Sequence, residues 1–273
     1  MEIKSLGIKT DLHINKFSGD VIDRGDYLVV YTPSNPGYWF GNYIIFDKPP
    51  QKNDFQKWRG IFIKEIYEKN KSEHMLFRWD TVTGEKGILT DFRKNNFAMD
   101  EDVLLSATKI NKPLHYNSDI TIRILKTKDD WEMSIQNQIQ CNDKSTGESL
   151  ADHEVFKRKQ MHEYCLMCEQ GLCKWYGVFI EDLMVADMGV FLVDGVGHFQ
   201  DVGTAPEFRR RGICGTAIYE ISNALLDSKQ INTMMMTADE NYHAARIYES
   251  VGFKPSERSV CLLNPQYFVK NNN

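Results

Sequence analysis

The sequence predicts a chain of the α/β (α+β) class built as two consecutive domains. Three observations predict it. Strand-like and helix-like apolar periodicities interleave through both halves. Three strand-sized runs follow one another between Trp175 and Thr204, with Asp194-Gly195 as a hairpin turn between the last two. Asn111-Lys112-Pro113 breaks the chain between the halves, so domains are expected over residues 1–115 and 116–273. At 273 residues, 42% of them hydrophobic, the chain has enough apolar material for two cores of ordinary size.

In the first half, Tyr27 to Tyr31 reads as a strand and Pro33-Ser34-Asn35-Pro36-Gly37 as a turn. A second strand is expected from Trp39 to Phe46, closed by Pro49-Pro50. After Asn53-Asp54, the residues Phe55, Trp58, Ile61, Phe62 and Ile66 recur at helical spacing, so one apolar face is expected. Met75 to Trp79 is a short strand, Gly84 and Gly87 flank a turn, and Val103-Leu104-Leu105 sits in a further strand. The aromatic stretch Tyr38-Trp39-Phe40 with Tyr43 reads as packing material, with a ligand wall or an interdomain face as the alternatives.

In the second half, Ile120 to Ile124 alternates as a half-buried strand does. A helix runs from Asp129-Asp130 towards Gln140, and another from about Ala151 to Gln170, ending at Gly171. The three strands are placed at Trp175–Ile180, Met184–Val193 and His198–Thr204. Pro206 stops the third. A helix is expected from Gly212 to Ser228, a buried strand from Ile231 to Thr237, a short helix capped by Asn241, and a last strand at Val260–Leu263. Met234-Met235-Met236 reads as core.

Charge and composition exclude several classes. The net charge of −5, with no basic face beyond Arg209-Arg210-Arg211, argues against nucleic acid. The polar start Met1-Glu2-Ile3-Lys4-Ser5 predicts no secretory signal, and strand-sized apolar runs predict no membrane span, so a cytoplasmic setting is expected. Six cysteines without a tight framework are expected to be reduced thiols. His162, Cys165, Cys168 and Cys173 have metal-ligating chemistry but drift around a helix, so no metal is expected there.

The segment Asp201-Val202-Gly203-Thr204-Ala205-Pro206-Glu207-Phe208-Arg209-Arg210-Arg211-Gly212-Ile213-Cys214-Gly215-Thr216 carries the most information. It reads as strand, basic glycine-containing turn, then helix. A helix start offers unpaired N–H groups and a partial positive charge, which together form an anion site that suits a pyrophosphate. Gly212, Cys214 and Gly215 are small enough to let a ligand reach the main chain, and the arginines add charge-assisted contacts. The lysine of a P-loop and the three glycines of a dinucleotide fingerprint are both missing.

This segment resembles the acetyl-coenzyme A motif of the GNAT acetyltransferase superfamily, written Q/R-x-x-G-x-G/A. It stands here as Arg209-x-x-Gly212-x-Cys214, with cysteine where glycine or alanine is usual. The block Asn241, Ala244, Tyr248, Gly252-Phe253 is similar to the family's later motif. The likeness spans about Asp119 to Asn264. It implies a GNAT-type mixed, mostly antiparallel twisted sheet flanked by helices, with acetyl-coenzyme A as co-substrate and acetyl transfer to an amine. It further implies that the backbone of Val202, Gly203 and Thr204 pairs with the pantetheine arm. The N–H groups from Arg210 and Arg211 through Gly212, Ile213, Cys214 and Gly215 to Thr216 would hold the pyrophosphate, with Arg209 at the rim. Tyr248 would protonate the departing sulfur; a helix aromatic facing the core is the other reading of it. Asn241 would bond the arm or cap its helix.

Asp201 lies next to the acyl site by strand alternation and is a candidate base; pairing with an arginine of the turn is the competing role, and Glu181, Asp182 or solvent are the other acceptors. The first half runs strand, strand, helix, strand, an order that resembles a degenerate copy of the same fold without the cofactor loop, which would make this a tandem protein; an unrelated α+β domain is the alternative. The expected partner is a small-molecule or protein amine, with no nucleic acid and no membrane; a homodimer is compatible with the chain. A non-catalytic acyl-coenzyme A sensor is the alternative function.

Overall fold

The computed structural model describes residues 1–141, 150–239 and 244–270. In chain order its elements begin with α1 (Leu6–Ser18), β1 (Asp20–Asp23), β2 (Tyr27–Tyr31), β3 (Asn42–Phe46), α2 (Asp54–Phe62), α3 (Glu68–Asn70), β4 (Met75–Trp79), α4 (Thr90–Lys94) and β5 (Ala98–Ala107). There follow β6 (Thr121–Ile124), α5 (Lys128–Gln140), α6 (Leu150–Glu169), β7 (Cys173–Ile180), β8 (Leu183–Val193), β9 (Val196–Thr204), α7 (Ile213–Asp227), β10 (Thr233–Asp239), α8 (Ala244–Ser250), β11 (Lys254–Asn264) and α9 (Tyr267–Lys270). The expected strand from Trp39 starts late, because Trp39–Gly41 is a 3-10 turn; Trp39 and Phe40 are exposed on it, so the packing expected of that stretch holds for Tyr43 and not for them.

Two compact units result, Met1–Leu104 with Pro255–Asn273, and Leu105–Lys254. The division differs from the expected boundary at 115/116 for two reasons. Asn111 and Asn117, expected near a linker, are bonded into the second unit: Asn111 N–H donates to the Val251 carbonyl at 2.9 Å, and Asn117 N–H to Thr216 Oγ1 at 2.9 Å. The last strand, β11, pairs antiparallel with β4 from Cys261↔Arg78 to Asn264↔Met75, so the C-terminal segment belongs to the first unit.

The first unit has strand order β1-β2-β3-β4-β11-β5. Side chains alternate across β2, β3 and β4, and both faces are covered. Val29, Ile44, Phe46, Met75, Phe77 and Trp79 join Phe55, Trp58, Phe62 and Ile66 of the helix that follows β3. Leu28, Val30, Tyr43, Ile45 and Leu76 face the other way, against Ile8 and Leu12 of α1. Two-sided burial explains why these strands read as continuous apolar runs. Phe46 stacks on Trp58 with ring centroids 3.8 Å apart.

Helix α1 was not expected, because its own apolar periodicity is weak. Its start is held from far along the chain. The Glu257 carboxylate accepts from the Leu6 N–H at 2.9 Å, 251 residues away, and from Ser5 Oγ at 2.8 Å. Asp80 accepts from the N–H groups of Lys4 and Ser5 at 2.8 and 3.0 Å. A helix capped in this way depends on tertiary structure more than on local propensity.

Strands β3 and β4 are parallel, from Ile44↔Phe77 to Phe46↔Trp79, with α2 between them. They stay bonded to the end: the Asp80 N–H donates to the Phe46 carbonyl at 2.8 Å. The turn before α2 is also filled. The Pro50 carbonyl accepts from Ile88 N–H at 2.7 Å, and the Asp54 carboxylate accepts from Gln51 N–H at 2.8 Å.

The second unit has strand order β10-β9-β8-β7-β6, antiparallel throughout except for the parallel pair β9–β10, which α7 connects. Helix α5 packs on β8 and β9, and α6 on β7. A capping box of Thr127 and Asp130 opens α5, and the Arg123 guanidinium, 2.6 Å from Asp130, holds that carboxyl well below the usual carboxylate range. One expectation is corrected here. Cys168 and Cys173 form a disulfide, because Gly171 at φ 78° turns the chain back and brings the two Cα atoms within 4.6 Å. Cys141, Cys165, Cys214 and Cys261 are free.

The capping of α1 gives a direct test. Glu257→Ala leaves the N–H donors of Leu6 and Gly7 without their acceptor and should cost about 1–3 kcal/mol in urea unfolding. An unchanged midpoint would refute the cap's contribution.

Candidate functional site

Strands β9 and β10 pair only over Val196–His198 and Thr233–Met235. Beyond that, β9 runs on to Thr204 and β10 to Asp239, so the two parallel strands lie unpaired along most of β9. At the fork, His198 Nε2 lies 3.5 Å from Thr237 Oγ1. Among the described residues, the edge from Phe199 to Thr204 has no paired β10 residue opposite it, which suits an extended ligand, with the Thr204 carbonyl at its end taken by Arg209.

At the end of that edge stands the basic turn. Gly212 has φ 75° and occupies the N-cap of α7 without a side-chain cap. The first helical bond is Thr216 N–H to the Gly212 carbonyl at 3.0 Å, so the N–H groups of Ile213, Cys214 and Gly215 have no acceptor within the helix. A Cβ on Gly212 would lie 2.1 Å from the His115 carbonyl oxygen. Glycine is therefore needed for both conformation and space. Gly215 differs: a Cβ there meets its nearest neighbours, Ile247 and Pro113, at 3.6 Å, so it serves helix packing. Thr216 was expected to offer its N–H to the pyrophosphate and does not: that N–H is in the helical bond, and its hydroxyl is committed to Asn117, whose side-chain amide also donates to the Arg211 carbonyl at 2.9 Å.

The three arginines are exposed and folded along the turn. Arg209 Nε donates to the Thr204 carbonyl at 3.1 Å, and Arg211 donates to the Glu207 carbonyl at 3.0 Å while lying over the Phe208 ring. Burial pushes the Cys214 thiol up to about 12, so this half-buried side chain is a small neutral spacer and not a nucleophile.

Asp201 sits in a bulge of β9. Gly189 of β8 faces Gln200, and Asp187 faces Gly203, so Asp201 and Val202 together oppose one residue. Asp201 has φ 47°. Its carboxylate is paired with Lys157 of α6 at 2.9 Å, with the Asp201 side chain 17% exposed. The expected pairing with an arginine of the turn is corrected: the cation is Lys157 of α6, while Arg209 and Arg211 bond main-chain carbonyls. Glu181 and Asp182 lie in the β7–β8 turn. Tyr248 is buried in α8, which packs on α7 and β10. Asn241 lies outside the described residues.

The sequence reading missed a polar cluster behind the bulge. Asp187 is fully buried and accepts from Ser134 Oγ at 2.5 Å, Asn137 Nδ2 at 2.6 Å, Gln138 Nε2 at 2.9 Å and Trp175 Nε1 at 2.8 Å. Burial pushes its carboxyl up to about 6, against the pull of these donors. Trp175 reaches it by lying across Gly189, where a Cβ would be 2.2 Å from the ring. The available signal was a lone aspartate inside the apolar run Met184–Val193. Among the described residues, no group of three or more His, Cys, Asp or Glu could hold a metal ion, and no helix is long and apolar enough to cross a membrane.

Comparison with known proteins shows a likeness of fold. Residues 176–262 match the family described as FR47-like protein. A functionally unknown conserved protein from Staphylococcus epidermidis is similar over 92% of this chain and 95% of its own, at TM-score 0.73 and 17% identity. A GCN5-related N-acetyltransferase from Kribbella flavida is similar over 96% and 97%, at TM-score 0.61 and 15% identity. A tandem GNAT protein from the clavulanic acid biosynthesis pathway is similar over 81% and 74%, at TM-score 0.53 and 9% identity. No curated protein matches in sequence.

The two glycines of the turn should behave differently. Gly212→Ala forces a left-handed alanine against the His115 carbonyl and should cost at least about 1–2 kcal/mol in thermal unfolding. Gly215→Ala should be neutral or stabilising by up to about 1 kcal/mol, since alanine favours the helix. Equal losses at both positions would contradict the assignment.

Proposed function

We propose, from the premise that the chain has the GNAT fold, that it is an N-acetyltransferase that moves an acetyl group from acetyl-coenzyme A to a primary amine by direct attack. The observation that carries this reading is the parting of β9 and β10 beside a helix opened by a left-handed glycine. The residues present fit a coenzyme A thioester. The N–H groups of Ile213, Cys214 and Gly215, with Arg209, Arg210 and Arg211 around them, would hold the pyrophosphate, and Gly212 lets the turn close against the His115 carbonyl, where a Cβ would not fit. The open edge from Val202 to Thr204 would hold the pantetheine arm as an added strand.

When bound, the thioester supplies an activated acyl group. The chain's own part is to aim it, to offer a main-chain donor near its carbonyl, and to exclude water from the cleft. Tyr248 holds a proton for the departing sulfur. Because Asp201 is committed to Lys157, solvent is assigned the amine's proton. The first unit is read as a degenerate copy of the same fold. Its parallel β3–α2–β4 supports this, and its closed strand pair and filled turn explain the lack of a second cofactor loop.

The commitment of Asp201 favours one rival, a protein that binds acyl-coenzyme A without turning it over. Release of free thiol from acetyl-coenzyme A across a panel of primary amines separates the two. Turnover should appear with at least one amine class, and Tyr248→Phe should lower kcat by about 10²-fold or more while coenzyme A still raises the melting temperature. A thermal shift without turnover on any amine would favour the rival; no thermal shift would remove both.

A further inference from the structure

The Asp187 cluster does more than satisfy a buried charge. A carboxylate can only accept hydrogen bonds, so it fixes which end of each neighbouring amide faces it. Both Gln138 and Asn137 therefore turn their NH₂ groups towards Asp187. Each NH₂ has a second hydrogen. That of Gln138 goes to the Asp201 carbonyl at 2.7 Å, and that of Asn137 to the Gly203 carbonyl at 3.3 Å. These two carbonyls flank Val202 in the bulge. In a planar trans peptide the N–H points opposite to the carbonyl of the same unit, so holding the Asp201 oxygen towards α5 aims the Val202 N–H away from α5.

The packing leaves little slack. Gly203 brings β9 close enough that a Cβ there would be 2.9 Å from Gln138 Nε2 and 3.1 Å from Cys141 Sγ. Asn137, Gln138 and Ser134 are all buried on one helix, and Trp175 closes the fourth side of the carboxylate.

Resting on the acetyltransferase reading, we propose that Asp187 is a positioning residue of the acyl site. Through Gln138 and Asn137 it locks the carbonyls of Asp201 and Gly203, and so sets the direction of the Val202 N–H that would meet the thioester carbonyl. Asp187 touches no substrate itself. Its absence would loosen the bulge while leaving the pyrophosphate turn, Arg209 to Gly215, as it is.

The test uses the full chain with Asp187→Asn and, separately, Gln138→Met, which keeps the length of the side chain and removes the donor. Two quantities are read: steady-state kinetics with acetyl-coenzyme A, and amide hydrogen exchange. Both variants should lose kcat on the order of 10²-fold, as expected for a misplaced reacting group. Their KM for acetyl-coenzyme A should stay within about twofold, the signature of an interaction that acts on the transition state. Exchange should rise in the segment 199–204 and not in α7. Should Asp187→Asn fail to fold, Gln138→Met decides alone. The exchange measurement needs no turnover, so it stands if the acetyltransferase reading fails. Unchanged protection over 199–204, or a rise spread evenly through Leu105–Lys254, would overturn the proposal.

Discussion

The site depends on one constraint, the separation of two parallel strands that begin as partners. β9 and β10 are bonded over three residue pairs and then part. An open strand edge leaves main-chain groups to water or to a ligand, so the strand needs support from elsewhere. The fold supplies it on the other side of β9. The bulge at Asp201 and Val202 is tied to α5 by Gln138 and Asn137, and Asp201 is tied to α6 by Lys157. The strand is thus held from behind while its front stays available. Gly212 then starts α7 where that edge ends, with its three leading N–H groups outside any helical bond.

The first unit shows what the same arrangement becomes without that separation. β3 and β4 are also parallel and also joined by a helix, and Asn53 at φ 72° occupies the N-cap of α2 as Gly212 does for α7. Yet the strands remain bonded through Asp80, and Pro50 and Asp54 fill the turn with chain contacts. Parallel strands with a connecting helix are therefore not enough to make a ligand cleft. The cleft needs a bulge, a brace behind it and an unfilled helix start.

Much of this was legible in the sequence. Tyr27–Tyr31, Met75–Trp79 and the three strands of the second half stand within about two residues of their expected places, because apolar runs between turn signals are strong local information. The turn at Gly212 was legible for the same reason, since a glycine that follows a strand and three arginines and precedes Cys214 and Gly215 is a local signal. What could not be read was non-local. Helix α1 is capped by Glu257 and Asp80 from distant parts of the chain. The last strand leaves the half that precedes it to pair with β4. Cys168 and Cys173 meet because Gly171 reverses the chain. The brace behind the bulge joins Ser134, Asn137, Gln138, Trp175 and Asp187, residues of three separate elements with no shared motif.

The central claim is that the main-chain amides at the start of α7 grip a diphosphate. A titration of the ¹⁵N-labelled chain with coenzyme A tests it most directly. The account predicts saturable amide shifts at Ile213, Cys214 and Gly215, joined by shifts from Val202 to Thr204. Saturating coenzyme A that leaves those amides unmoved, or that perturbs only residues elsewhere in the chain, would contradict it.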